Sequence, residues 1–126
     1  MRFNKPGDRI SLIAGATISR YRILKYSAQS TVIQAAAASD SLLGVSGAGD
    51  GADPSMVVSG ARVDVILSGQ AFVEYGGNVT RGAVLTADSI GRAVAASSGN
   101  RVIGIALESG VSGDVGSVDL TAKGIY

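Results

Sequence analysis

The 126-residue chain has no cysteine and no histidine, and its only lysines are Lys5, Lys25 and Lys123. Without cysteine neither a disulfide framework nor a thiolate metal site can form, and the redox compartment stays undetermined. Without histidine the usual general base near neutral pH and the commonest metal ligand are both missing. A serine nucleophile wants a neighbouring base, and none of the three lysines stands in a Ser-x-x-Lys arrangement. Most of the ten acidic residues fall at turns or exposed strand positions, with no glycosidase-like pair marked by spacing. The expectation is a protein without catalytic residues, cofactor or metal.

An excess of one charge is also lacking. Net charge is +1 with the basic residues scattered, so there is no footprint for a phosphate backbone and nucleic acid is not an expected partner. No apolar run approaches the roughly 20 residues of a membrane-spanning helix. The opening MRFNKPGDRISLIAGA places Pro6, Asp8 and Arg9 where a signal peptide would begin its apolar stretch, so a soluble, non-secreted protein is expected.

What is present supports folding. With 46% hydrophobic and 17% charged residues, the composition opposes disorder despite 18 glycines. The length suits a single domain, 1–126, with one real core. In ARVDVILSG, Val63, Val65 and Leu67 share one face while Arg62 and Asp64 share the other. SVDLTAKG repeats the pattern with Val118, Leu120 and Ala122. RVIGIAL is apolar on both faces around Gly104, which suggests a strand buried on two sides or one that another backbone approaches closely. Further strands are expected at Arg9–Ile13, Tyr21–Tyr26, Gln70–Tyr75 and Ala83–Thr86, with turns at YGGN, ADSIG and ASSGN. Only IQAAAASDSLL offers one or two helical turns. The predicted fold is all-β, a small barrel or sandwich with short turns and few open edges.

The chain also matches itself. ISRYRILKYSAQSTVIQA from Ile18 is answered by VTRGAVLTADSIGRAVAA from Val79. The match pairs Ile18 with Val79, Arg20 with Arg81, Leu24 with Leu85, Ile33 with Val94, Gly44 with Gly104, Val63 with Val118 and Gly69 with Gly124. Two internal repeats, about 18–72 and 79–126, are therefore expected to share one core about a pseudo-twofold axis, since each alone is marginal in size. Between Gly44 and Val63 the first copy is longer by about five residues, supplied by SGAGDGADPS (Ser46–Ser55). That string lacks the lysine and hydroxyl of a phosphate loop and the ligand spacing of a calcium loop, and reads as a flexible surface loop.

In order and spacing, PGDRISLIAGATIS (Pro6–Ser19), VDVILSGQAFVEY (Val63–Tyr75), VTRGAVLT (Val79–Thr86), RAVAASSGNRVIGIALESG (Arg92–Gly110) and GSVDLTAKG (Gly116–Gly124) resemble the tailed-phage capsid cement, or head decoration, proteins. Some of that family have been called RecA/RadA-like phage recombinases, a chemistry needing an ATP phosphate cradle that this chain lacks. The resemblance implies a structural protein on the outer capsid surface of a virion, made in the host cytoplasm. It would bridge neighbouring major capsid subunits against the pressure of packaged DNA, as a homo-oligomer, a trimer before a dimer. Residues 1–9, with Arg2, Phe3, Lys5 and Arg9, read as an extended arm fit for capsid contact, or else as a frayed terminus. Asp50, Asp53 and Tyr126 are further candidates for oligomer or capsid contact, whereas Ile125 is expected to close the barrel. The alternative is a small ligand-binding or regulatory β-barrel module taking an anion or sugar at Gly47–Ser55.

Overall fold

Five strands close the first part of the chain into a barrel, with the alternation clearest in the strand at Arg62–Ile66. The computed structural model describes residues 9–49, 56–120 and 124–125. In it β1 (Arg9–Ala14), β3 (Ile23–Ala28), β4 (Thr31–Gln34), β5 (Gly44–Gly49) and β7 (Arg62–Ile66) follow one another in the closed order β1-β4-β3-β5-β7. An antiparallel ladder runs from Arg9 opposite Ile66 to Ile13 opposite Arg62. On its other flank β1 pairs in parallel with β4, Ile13 with Thr31 and Ala14 with Val32. Leu12, Ala14, Leu24, Val32, Val63 and Val65 form one core cluster with Ile18 of β2 (Ile18–Ser19) and Val57 of β6 (Met56–Val57). Each valine, leucine or isoleucine among them contributes roughly 1.5–3 kcal/mol when fully buried.

The second sheet has the order β10-β9-β12-β13-β8, where β8 is Gln70–Glu74, β9 Val84–Ala87, β10 Ala93–Ala95, β12 Gly104–Ala106 and β13 Val115–Asp119. Position by position this matches β4-β3-β5-β7-β1 of the barrel. Its two ends meet in one parallel bridge, Tyr75 to Ala93. The small pair β11 (Arg101–Val102) and β14 (Gly124–Ile125) lies beside it in sequence, with Arg101 opposite Ile125. The core of this half, built on Val73, Tyr75, Leu85, Ile103, Val118 and Leu120, also takes in Ile23, Ala35 and Val45 from the barrel half. The two halves are thus one body, because the barrel wall supplies apolar surface that the second sheet covers.

The all-β expectation holds, and no α-helix occurs among the described residues. The alanine-rich segment makes a tight turn instead: the Asp40 amide donates to the Ala37 carbonyl at 3.2 Å, and Asp40 Oδ2 accepts from the amides of Ala36 and Ala37. A side chain that satisfies these amides competes with helix propagation. Gly104 is a close-approach site, since a Cβ there would strike the backbone carbonyl of Asp119, and Gly44 stands in the same relation to the Ile66 carbonyl. One expectation needs correction. Ser46 and Gly47 are not flexible loop but part of β5, and Ser46 is 1% exposed. Its hydroxyl is consumed inside the protein, which turn statistics do not anticipate.

Candidate functional site

Between β2 and β3 the chain turns through Arg20, Tyr21 and Arg22. Tyr21 has φ 66°, a left-handed backbone that costs a non-glycine residue roughly 1–2 kcal/mol. Its surroundings hold it there. The Ser46 hydroxyl donates to the Ser19 carbonyl at 2.8 Å and accepts from the Arg22 amide at 3.0 Å. The Tyr21 amide donates to the Ser46 carbonyl at 3.3 Å, and the Tyr21 carbonyl accepts from the Glu74 amide of β8 at 3.0 Å. One residue is thereby bonded to both sheets. In the sequence match the same position is Gly82, also left-handed at φ 89° with open space where a Cβ would point. Glycine satisfies that turn at no steric cost, so tyrosine at position 21 is not required by the turn itself.

The Tyr21 ring meets Phe72 of β8 edge to face, with centroids 6.5 Å apart and planes at 78°. The Arg20 guanidinium lies 4.7 Å from the Tyr21 ring centroid, within cation–π range. With Arg9, Ser46, Gly47 and Ile66, these three residues line a pocket of about 170 Å³ at the seam between barrel and second sheet. Phe72 is 54% exposed at its rim. Below it the seam is tied by charge. Arg22 reaches Glu74 Oε1 at 3.1 Å and the Ile90 carbonyl at 3.1 Å, while Arg92 sits 4.0 Å from Glu74 Oε2 and 2.9 Å from Asp88 Oδ2. Among the described residues, neither Arg9 nor Arg20 is ion-paired with a carboxylate, and the Arg20 Nε is buried without a partner. Two guanidiniums with no carboxylate in ion-pair contact, one of them stacked on the Tyr21 ring, suit a carboxylate or another small anion with apolar neighbours.

No protein-family model matches the chain, nor does any curated protein sequence. Among solved structures, the head fiber gp8.5 N base of bacteriophage phi29 is similar, with a TM-score of 0.67 over 94% of this chain and 98% of that one, at 20% identity. The fold of this chain is similar to that of this head-fiber base. At this identity the likeness concerns architecture and transfers no individual residue.

Within this fold the predicted contact residues distribute unevenly. Arg9 opens β1 and lines the seam pocket, and its Nη1 would stand 3.7 Å from a Cβ placed at Gly47. Arg2, Phe3, Lys5, Asp50, Asp53 and Tyr126 lie outside the described residues. Sequence reasoning missed Arg20, Tyr21 and Phe72. The one available signal was the pairing of Tyr21 with Gly82 in the internal match, an aromatic residue standing where the other copy has the turn-former.

Away from the pocket, two titratable groups are displaced. Tyr75 is buried, and its hydroxyl donates to the Glu108 carbonyl at 2.7 Å. Burial pushes its phenol up, and the nearby Glu108 and Asp114 carboxylates add to the effect. For Asp40 burial acts upward, but the Ala36 amide, the Lys25 ammonium at 3.1 Å and the Ala37 amide together hold its carboxyl below the usual range. Neither group lines the seam pocket, and both read as structural.

Proposed function

We propose that the chain is a structural protein of a tailed-phage virion that seats on the outer surface of the head. What carries the reading is agreement of fold along almost the whole of both chains with a phage head-fiber base, joined to the independent resemblance of the ordered motifs from Pro6 to Gly124 to capsid cement proteins. In the finer form of the proposal it bridges neighbouring major capsid subunits and stiffens the shell against packaged DNA. It works as a homo-oligomer, a trimer before a dimer, and performs no chemistry of its own. A single fused β body with a core shared between its halves suits a load-carrying platform, because a close-packed interior resists deformation.

The competing reading, a small-ligand module, finds a pocket beginning at Gly47. At about 170 Å³ it falls below the roughly 300–1,000 Å³ typical of small-molecule sites, and can hold about one side chain. The deciding experiment adds purified chain to expanded heads assembled from the cognate major capsid protein alone, followed by sedimentation and electron cryo-microscopy. Co-sedimentation with ordered density on the outer surface is the expected result. Heads that stay bare at saturating protein would end the proposal.

A further inference from the structure

We infer that the seam pocket is a receptor for one acidic side chain presented by a partner protein, its carboxylate held between Arg9 and Arg20 and its apolar flank resting on Tyr21 and Phe72. Charge supplies the first argument. Arg22 and Arg92 at the same seam are ion-paired, whereas Arg9 and Arg20 have no carboxylate among the described residues. Size supplies the second, since about 170 Å³ accommodates one side chain. Composition supplies the third: an exposed Phe72, a tyrosine and arginines gathered round an apolar wall at Ile66 are the residue types that anchor protein interfaces. A nucleic-acid backbone would want a row of cations, and the basic residues of this chain are dispersed.

The fourth argument is the backbone of Tyr21. The left-handed conformation recurs at Gly82 with glycine and open space, so the strained tyrosine is kept for what its ring does. That ring joins Arg20 to Phe72. Strain retained where a side chain must be aimed is characteristic of binding sites. The inference rests on the capsid reading only for the identity of the protein that supplies the acid, which under that reading is the major capsid protein.

The test uses the intact chain, labelled with 15N, and two uncharged-end probes: acetyl-Gly-Glu-Leu-Gly-amide and its Gln counterpart. The Glu peptide is expected to shift the amides of Tyr21, Gly47 and Phe72 with millimolar affinity that weakens as salt rises, and the Gln peptide to bind at least fivefold more weakly. Arg20→Gln should lose at least fivefold in affinity for the Glu peptide. Arg81→Gln, in the matching exposed turn, should bind as the unsubstituted chain does. Should Arg20→Gln fold poorly, Gly47→Val closes the same pocket from β5 and must give the same loss. Equal binding of both peptides, no shift at 20 mM peptide on the order of the weakest side-chain contacts, or equal shifts by inorganic phosphate at matched ionic strength would each overturn the inference. Head binding separates it from the capsid reading. If Arg20→Gln decorates heads as well as the unsubstituted chain, the pocket falls and the capsid role stands; if the chain binds the Glu peptide but no heads, the reverse holds.

Discussion

The barrel and the second sheet have the same order of strands and reach closure by different means. The barrel is zipped by backbone: β1 carries a five-pair ladder to β7 on one flank and a parallel pairing to β4 on the other. Its core cluster is wholly aliphatic. The second sheet has a single bridge at the equivalent place, Tyr75 to Ala93, and a tyrosine as its largest fully buried side chain. Gly110 and Gly116 make room for that ring, since a Cβ at either would collide with it. A buried aromatic plug thus fills the half whose ends are weakly paired, where the laddered half is filled by aliphatic side chains alone, which teaches that one strand order can enclose two kinds of core.

Removing the plug is the harshest way to break the comparison. Tyr75→Ala should cost about 4 kcal/mol, the range of aromatic truncations in cores, and hydrogen exchange should rise first in β8, β9, β12 and β13. Equal loss of protection in the barrel would show that the halves never act separately. Next come Gly44→Ala and Gly104→Ala, each expected to cost about 3 kcal/mol by forcing strands apart. Denaturant melts of the pair should agree closely, because both glycines face a neighbouring carbonyl.

A gentler probe is alkali. Tyr75 has a raised pKa, so the stability it lends is fully present below the unfolded phenol value of about 10 and is lost as pH rises through the higher folded value. Tyr75→Phe should therefore flatten the fall of melting temperature above about pH 10, at a constant cost of about 1–2 kcal/mol from the orphaned Glu108 carbonyl. The smallest effect is expected at acid pH from the barrel half. The Asp40 carboxyl is held low, so its contribution is present above about 3.9 and is lost as pH falls through the folded value. Asp40→Asn should cost about 1 kcal/mol at neutral pH and nearly nothing at pH 2, read by thermal denaturation at both values.

Much of this architecture is legible in the sequence. The alternation at Val63, Val65, Val118 and Leu120 marks inward faces because a strand has a period of two, and each of these residues is fully or nearly fully buried. Gly104 announces a close approach because glycine within an apolar strand serves little else. The pocket was far less readable. Arg9, Arg20 and Phe72 meet only once the barrel has closed and β8 has docked on it, and no local pattern encodes such a meeting. The conformation of Tyr21 was hidden as well, since it is imposed by Ser46, which itself looked like loop. Sequence periodicity reports on faces, whereas a junction between faces depends on three-dimensional closure.

One peptide neighbourhood, that of Tyr21, is stitched by its N–H to the barrel and by its C=O to the second sheet. Thermodynamic reciprocity then sets a condition on any partner that clasps the ring: if its grip depends on this junction, its arrival must steady the junction by the same free energy.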